Sequence, residues 1–308
     1  MKKALLIGIN YKHTSNELTG CINDVDALKK MLLKQCNYTN VSLITENENI
    51  KPTKDNILKA LKNIIDESKK YTEIWIHYSG HGTPVKDLNG DEKDGFDEAI
   101  VPLDFETNGF IIDDDLNSII SKTKCKTYIT FDCCHSGSAL DLYYNLSVQK
   151  NKLVHSFELS QKNKSTKNNI FMISGCTDSQ KSEENKNQIG GNFIQMGAMT
   201  TTLIKVLQKY KFNISIEKLM IELNKYMLKD NHSQIPVFSS NQPILLKSSF
   251  VTPPVAQIKN KKREFKTTKS KYNNSSENFD HNLKKIIKKI IKKELKKLLS
   301  EHYKHYEH

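Results

Sequence analysis

Two short apolar runs, each breaking abruptly into small and polar residues, constrain this chain more than any other feature. Ile74-Trp75-Ile76-His77-Tyr78 runs into Ser79-Gly80-His81-Gly82, and Tyr128-Ile129-Thr130-Phe131 runs into Asp132-Cys133-Cys134-His135-Ser136-Gly137. A short apolar run rich in β-formers reads as a strand buried on both faces, as in a parallel sheet. In open α/β sheets the reactive groups sit just beyond the carboxyl ends of such strands. If these two strands are neighbours, a histidine and a cysteine face each other across one crevice. That is what a cysteine nucleophile needs: a base within reach of the thiol, and glycine for close backbone approach.

Composition narrows the class. The 308 residues allow one large domain or two small ones, with ample length for a core. The basic start at Met1-Lys2-Lys3 leads into an apolar stretch of about six residues, shorter than the roughly 7–15 of a signal peptide. A first strand is expected there, and a cytoplasmic setting with it. No run approaches the ~18 apolar residues of a membrane span. The six cysteines (Cys21, Cys36, Cys125, Cys133, Cys134, Cys176) show no paired zinc spacing and are too few for a disulfide scaffold, which fits a reducing compartment. The net charge of +12 is uneven: from Val255 onward there are 16 Lys+Arg against 6 Asp+Glu, and before it 31 against 29. The basic character belongs to the tail.

Along residues 1–250, strand-like and helix-like segments alternate. Strands are expected at Lys3–Ile9, Val41–Thr45, Ile74–Tyr78, Ala99–Pro102, Lys126–Phe131, Ile170–Ser174 and Gln242–Lys247. Helices are expected at Asn23–Gln35, Pro52–Lys69, Asp113–Ser121, Gly197–Leu207 and Ile214–Leu228. This alternation indicates an α/β fold with a mainly parallel central sheet. Three polar regions interrupt it: Thr83–Phe96, a connection at Asp141–Asn169, and Thr252–Asp280, which reads as a disordered linker after Pro253-Pro254. Asp87-Leu88-Asn89-Gly90-Asp91 has an EF-hand flavour, but its glycine falls at the fourth position rather than the sixth, and that reading is rejected.

Read singly, each candidate residue has an ordinary explanation. A strand-end histidine such as His81 hydrogen-bonds, and a buried cysteine is inert. Asp24 suits a helix N-cap, Asp132 a turn, and Asp97, Asp113, Asp114 and Asp141 capping or solvated positions. His135 is a rival base to His81, although adjacent residues on a turn point apart. The segments in order decide between these readings. Ala4–Asn10, Leu18–Asp24, Tyr78–Gly82, Asp94–Phe105, Ile111–Asp115, Asp132–Gly137, Ile173–Gly175 and Gly197–Thr201 together resemble a type I-like metacaspase, one of the caspase-related cysteine peptidases of family C14. The resemblance covers residues 1–250. It implies the caspase–haemoglobinase fold, with a large-subunit-like part at 1–150 and a small-subunit-like part at 168–250.

The resemblance assigns roles to particular positions. Cys134, the cysteine before the histidine of the motif, corresponds to the nucleophile, and His81 to the general base and acid. The N–H groups of Gly82 and Cys134 correspond to the oxyanion hole. Cys21, Asp24, Ser79 and Asp132 match the pocket for the residue preceding the cut, and two carboxylates in a desolvated pocket favour a cation. Cleavage after Arg or Lys is therefore expected. Asp97, Asp113, Asp114 and Asp141 match the family's calcium ligands, hard oxygen donors suited to that ion. Lys150, Lys152, Lys162, Lys164 and Lys167 make the 141–169 connection a self-cleavage target.

In the tail, Leu283, Ile286, Ile287, Ile290, Ile291, Leu295, Leu298 and Leu299 alternate with lysines in an expected amphipathic helix at 281–304. Such a helix suits an anionic membrane surface, an acidic protein, or non-specific contact with nucleic acid. The expected protein is thus a monomeric, calcium-dependent cysteine endopeptidase acting on protein or peptide substrates. Two rivals stand beside it: a catalytically silent caspase-fold scaffold acting through its basic tail, and another Cys–His hydrolase on an α/β sheet.

Overall fold

In the computed structural model the described residues are 1–88, 90, 95–133, 140, 142–149, 152–157, 169–175, 184–189 and 192–251. The chain divides into two units, Met1–Pro254 and Val255–His308. The expected tail helix and the expected linker at 252–280 lie outside the described residues.

The central sheet has eight strands. In chain order they are β1 (Lys2–Gly8), β2 (Asn40–Thr45), β3 (Glu73–Ser79), β7 (Lys126–Asp132), β8 (Tyr144–Gln149), β9 (Lys152–Phe157), β10 (Ile170–Ser174) and β13 (Val237–Ser240). Their spatial order is β2-β1-β3-β7-β10-β13-β8-β9. The first five run parallel, and β13, β8 and β9 continue the sheet through antiparallel pairings. Two small sheets accompany it: β4 (Gly82–Lys86), β5 (Phe96–Ile100) and β6 (Ile111–Ile112) in one, β11 (Glu184–Ile189) and β12 (Asn192–Gly197) in the other. The helices are α1 (Cys21–Gln35), α2 (Lys54–Asp66), α3 (Phe105–Asn108), α4 (Asp113–Ile120), α5 (Ala198–Lys209) and α6 (Ile216–Lys229), with a 3₁₀ turn at Ser68–Lys70.

Strand periodicity of two divides the apolar residues between two cores. Ala4, Leu6, Trp75, Tyr128 and Ile173 pack with α1, α5 and α6, while Leu5, Ile7, Ile76, Ile129 and Met172 pack with α2 and α4. The result is three layers, helix on sheet on helix. On α2 the buried residues Ile57, Leu61, Ile64 and Ile65 follow the helical period, and Thr53 caps its start by accepting the Asn56 N–H.

Three expectations are corrected, and one of the ordinary readings falls with them. The polar 141–169 connection contains the hairpin β8–β9, which occupies the sheet edge. The polar Thr83–Phe96 region begins with β4, paired to β5. The last strand is Val237–Ser240 rather than Gln242–Lys247, because Ser239 and Ser240 are buried against β10 while Leu245 is exposed. Asp24 is no N-cap: Gly20 holds that position and Asp24 sits inside the first turn. Among the described residues no helix is long and apolar enough to cross a membrane.

One buried group of β3 makes the fold sensitive to acid. His77 is 0% exposed, its Nδ1 lies 2.9 Å from the Thr130 hydroxyl, and its Nε2 has no hydrogen-bond partner among the described residues. Burial pushes its pKa down to about 3. Below the unfolded value near 6.5 the unfolded chain therefore binds a proton that the folded chain refuses, and stability falls with pH. Between pH 7 and pH 5 the wild type is expected to lose about 2 kcal/mol more than His77→Gln. Urea titrations at the two pH values check this; equal losses would contradict it.

Candidate active site

Parallel pairing of β3 with β7 places Tyr78 beside Phe131 and Ser79 beside Asp132. The two motif-bearing segments therefore leave neighbouring strands side by side, at the carboxyl edge of the sheet. Cys134 and His135 fall just outside the described residues. Cys133, the last described residue of that segment, is buried in the core on the α2 side.

The backbone of His81 is held at both ends. Its N–H donates to the Tyr11 hydroxyl (3.0 Å), and its carbonyl accepts from the Tyr78 hydroxyl (2.7 Å) and the Val101 N–H (3.2 Å). The imidazole lies against the Tyr11 ring, centroids 4.8 Å apart. Its Nε2 is 2.8 Å from the carbonyl of Asn16. A carbonyl only accepts, so this contact places the proton on Nε2 and leaves Nδ1 of the neutral ring as a lone-pair base. Gly80, just before, has no room for a side chain: a Cβ there would stand 2.5 Å from the Tyr78 hydroxyl. Gly82 opens β4 opposite Ile100.

Ser79 and Asp132 follow the parity of Trp75 and Tyr128, so both face the α1–α5 side of the sheet. There they meet Asp24, one turn into α1. The Ser79 hydroxyl donates to Asp24 Oδ2 (2.7 Å), and the Gly197 N–H donates to Asp24 Oδ1 (2.9 Å). Asp132 Oδ2 accepts the Thr200 N–H (2.8 Å), in the first turn of α5, where the helix dipole favours a negative charge. Both carboxylates converge on Gly197, where a Cβ would fall 2.1 Å from Asp132 Oδ2 and 2.8 Å from Asp24 Oδ2. Asp24 is 0% and Asp132 4% exposed, so the two carboxyl groups lie in a nearly water-free spot. Cys21 is buried at the first position of α1.

Three of the four expected pocket residues thus share one hydrogen-bonded locus. Sequence reasoning missed its other half, the backbone donors of Gly197 and Thr200; a glycine opening a helix is the only trace they leave. Tyr11 and Asn16 were likewise not singled out.

The acids expected to bind calcium stand differently. Asp97 and Asp113 are buried, on β5 and at the start of α4. Asp113 already accepts the N–H groups of Glu98 (3.2 Å) and Asp114 (2.8 Å). Asp141 lies outside the described residues. Among the described residues no three acid, His or Cys side chains form a group able to hold a metal ion. Their oxygen chemistry suits calcium, and the expected set includes Asp141, outside the described residues.

The chain has relatives among known proteins, in sequence and in fold. A family model described as the metacaspase, peptidase C14 domain matches residues 2–143. The chain is similar to Metacaspase-1 of Meyerozyma guilliermondii, 32% identical over 79% of this chain and 70% of that protein. It is similar to Metacaspase-2 of Trypanosoma brucei brucei, 33% identical over 80% of this chain and 75% of that protein. Its fold matches the solved structure of pro-sf-caspase-1, with a TM-score of 0.51 at 13% identity, covering 80% of this chain and 94% of that one. With identity above 30% sustained over most of both chains, on a caspase-like mixed sheet, this chain belongs to the metacaspases, a family of cysteine peptidases.

Proposed function

We propose that this peptidase cuts proteins after Arg or Lys, with Cys134 as nucleophile and His81 as base and acid. The convergence of Asp24 and Asp132 beside Gly197 carries the reading of specificity. A guanidinium or ammonium entering that spot offsets two buried negative charges, whereas an Asp side chain would add a third.

In the proposed cycle, His81 Nδ1 takes the thiol proton as Cys134 Sγ attacks the carbonyl carbon of the scissile bond. The backbone N–H groups of Gly82 and Cys134 hold the oxyanion. His81 then gives that proton to the leaving amine, and a thioester remains. Water attacks the thioester with His81 again as base, the acid product leaves, and the proton returns to sulfur. The proton on Nε2 stays bound to the Asn16 carbonyl throughout, so one ring nitrogen works while the other keeps the ring in place.

The test is hydrolysis of matched fluorogenic peptides ending in Arg, Lys or Asp. Arg and Lys peptides are expected to be cleaved at least about 100-fold faster than the Asp peptide, with Asp24→Asn losing most of that preference. Equal rates for Arg and Asp would end this reading of the pocket.

Calcium dependence is part of the proposal and rests on donor chemistry alone. Asp97, Asp113 and Asp114 would need Asp141 to complete the set. Activity is expected to rise on adding calcium and to vanish with a chelator; full activity in chelator would remove calcium from the account. Self-processing is proposed at Lys150, Lys162, Lys164 or Lys167, since Lys152 lies within β9. The tail's 16 Lys+Arg support contacts with anionic surfaces, and the protein is proposed to act as a monomer.

A further inference from the structure

We propose that Tyr11 is a positioning residue for His81, setting the imidazole through both its backbone and its ring. The proposal rests on the reading of His81 as the base and deepens it.

The observations come from one short loop. Tyr11 follows β1 and is almost fully buried, yet its backbone has φ of 51°, in the left-handed region that a bulky residue seldom adopts. The segment is clamped on either side of it: the Glu46 carboxylate accepts the N–H groups of Asn10 and Lys12. Strain of this kind persists only where the surroundings over-determine it. Here it turns the tyrosine ring against the His81 imidazole and its hydroxyl under the His81 backbone.

Proton bookkeeping shows how fully that hydroxyl is committed. It accepts the His81 N–H at 3.0 Å and donates to the Val101 carbonyl at 2.6 Å. The Tyr78 hydroxyl stands 3.1 Å away and uses its own proton on the His81 carbonyl at 2.7 Å. Each phenol therefore holds one of the two backbone groups of His81. Burial raises the pKa of both, so both remain protonated donors at any working pH. The same loop delivers the Asn16 carbonyl to Nε2. Loop 10–16 thus fixes the backbone, the ring face and the tautomer of His81, and Tyr11 supplies the first two. Gly80 is the matching vacancy, since a Cβ there would come within 3.0 Å of the Tyr11 hydroxyl.

Positioning acts on the chemical step rather than on substrate binding, because Tyr11 lies on the α2 side of the sheet, opposite the acid pair. The experiment measures kcat and KM separately on an Arg fluorogenic peptide for wild type, Tyr11→Phe, Tyr11→Leu and His81→Gln. Each variant's folded fraction is read from its thermal unfolding. Tyr11→Phe keeps the ring and loses the hydroxyl; its kcat is expected to fall about 10-fold, with KM within about two-fold. Tyr11→Leu loses the ring as well and is expected to fall about 100-fold. If the leucine variant does not fold, the phenylalanine variant decides alone.

Wild-type kcat in folded Tyr11 variants, beside an inactive His81→Gln, would overturn the proposal. A higher KM at constant kcat, or a kcat loss matched by the unfolded fraction, would overturn it too. Activity retained in His81→Gln would instead defeat the reading of His81, and the role of Tyr11 with it.

Discussion

His81→Gln is expected to lower kcat on an Arg peptide by roughly 10³-fold or more, Cys134→Ala by a similar factor, and the pair together by no more than either alone. The reason lies in the division of labour on the ring. The Nε2 proton is held by the Asn16 carbonyl, so only Nδ1 is available to take a proton from a thiol. Glutamine can imitate the Nε2–H donor but offers no base of matching strength at the other atom. Without a base the thiol attacks poorly, and without the thiol the base has nothing to activate. The two losses therefore overlap rather than multiply. Single-turnover kinetics on the three variants measures this directly. A double variant ten or more times worse than the worse single variant would mean that the two side chains act independently.

Gly197→Ala is expected to be the most damaging single methyl group in the pocket. Its Cβ would overlap Asp132 Oδ2 at 2.1 Å and crowd both Asp132 Cγ and Asp24 Oδ2. Neither carboxylate can step aside without breaking a buried hydrogen bond, either to the Thr200 N–H or to the Ser79 hydroxyl. Such a collision costs about 2–4 kcal/mol, through overpacking and one orphaned polar group. On Arg peptides kcat/KM is expected to fall at least about 100-fold as the two charges are driven apart. Gly109→Ala is the control: its φ of 72° strains any side chain, but a Cβ there meets nothing within 4 Å. Denaturant midpoints and peptide rates on both variants check the comparison. A stable, fully active Gly197→Ala would show that the acid pair does not shape the pocket.

The central parallel strands were legible because each is covered on both faces. Ile74–Tyr78 and Tyr128–Phe131 carry apolar runs interrupted only by the buried His77 and Thr130, as such burial requires. The hairpin β8–β9 was not, because it lies at the edge: Tyr144-Asn145-Leu146-Ser147-Val148-Gln149 is rich in polar groups and flanked by lysine and asparagine. The last strand was misplaced for a related reason. Its Ser239 and Ser240 are buried through partners on β10, while the more apolar Ile244-Leu245-Leu246 lies outside the sheet. At the site, side chains with a chemical signature could be named in advance. Backbone donors could not, since the N–H groups of Gly197 and Thr200 and the carbonyl of Asn16 belong to no residue type.

The two acids beside Gly197 also set an order of assembly. Asp24 and Asp132 emerge from the ribosome well before residues 197–200, whose amides receive them. A nascent chain that has folded only as far as β7 holds two carboxylates facing the same unfilled space, with no donors from α5 to oppose their repulsion. The segment bearing the proposed nucleophile is complete by Gly137, yet the proposed pocket gains its backbone donors only with residues 197–200. Under the proposed function, a fragment ending at Gly137 would therefore carry nucleophile and base without the amides that hold the two acids in place.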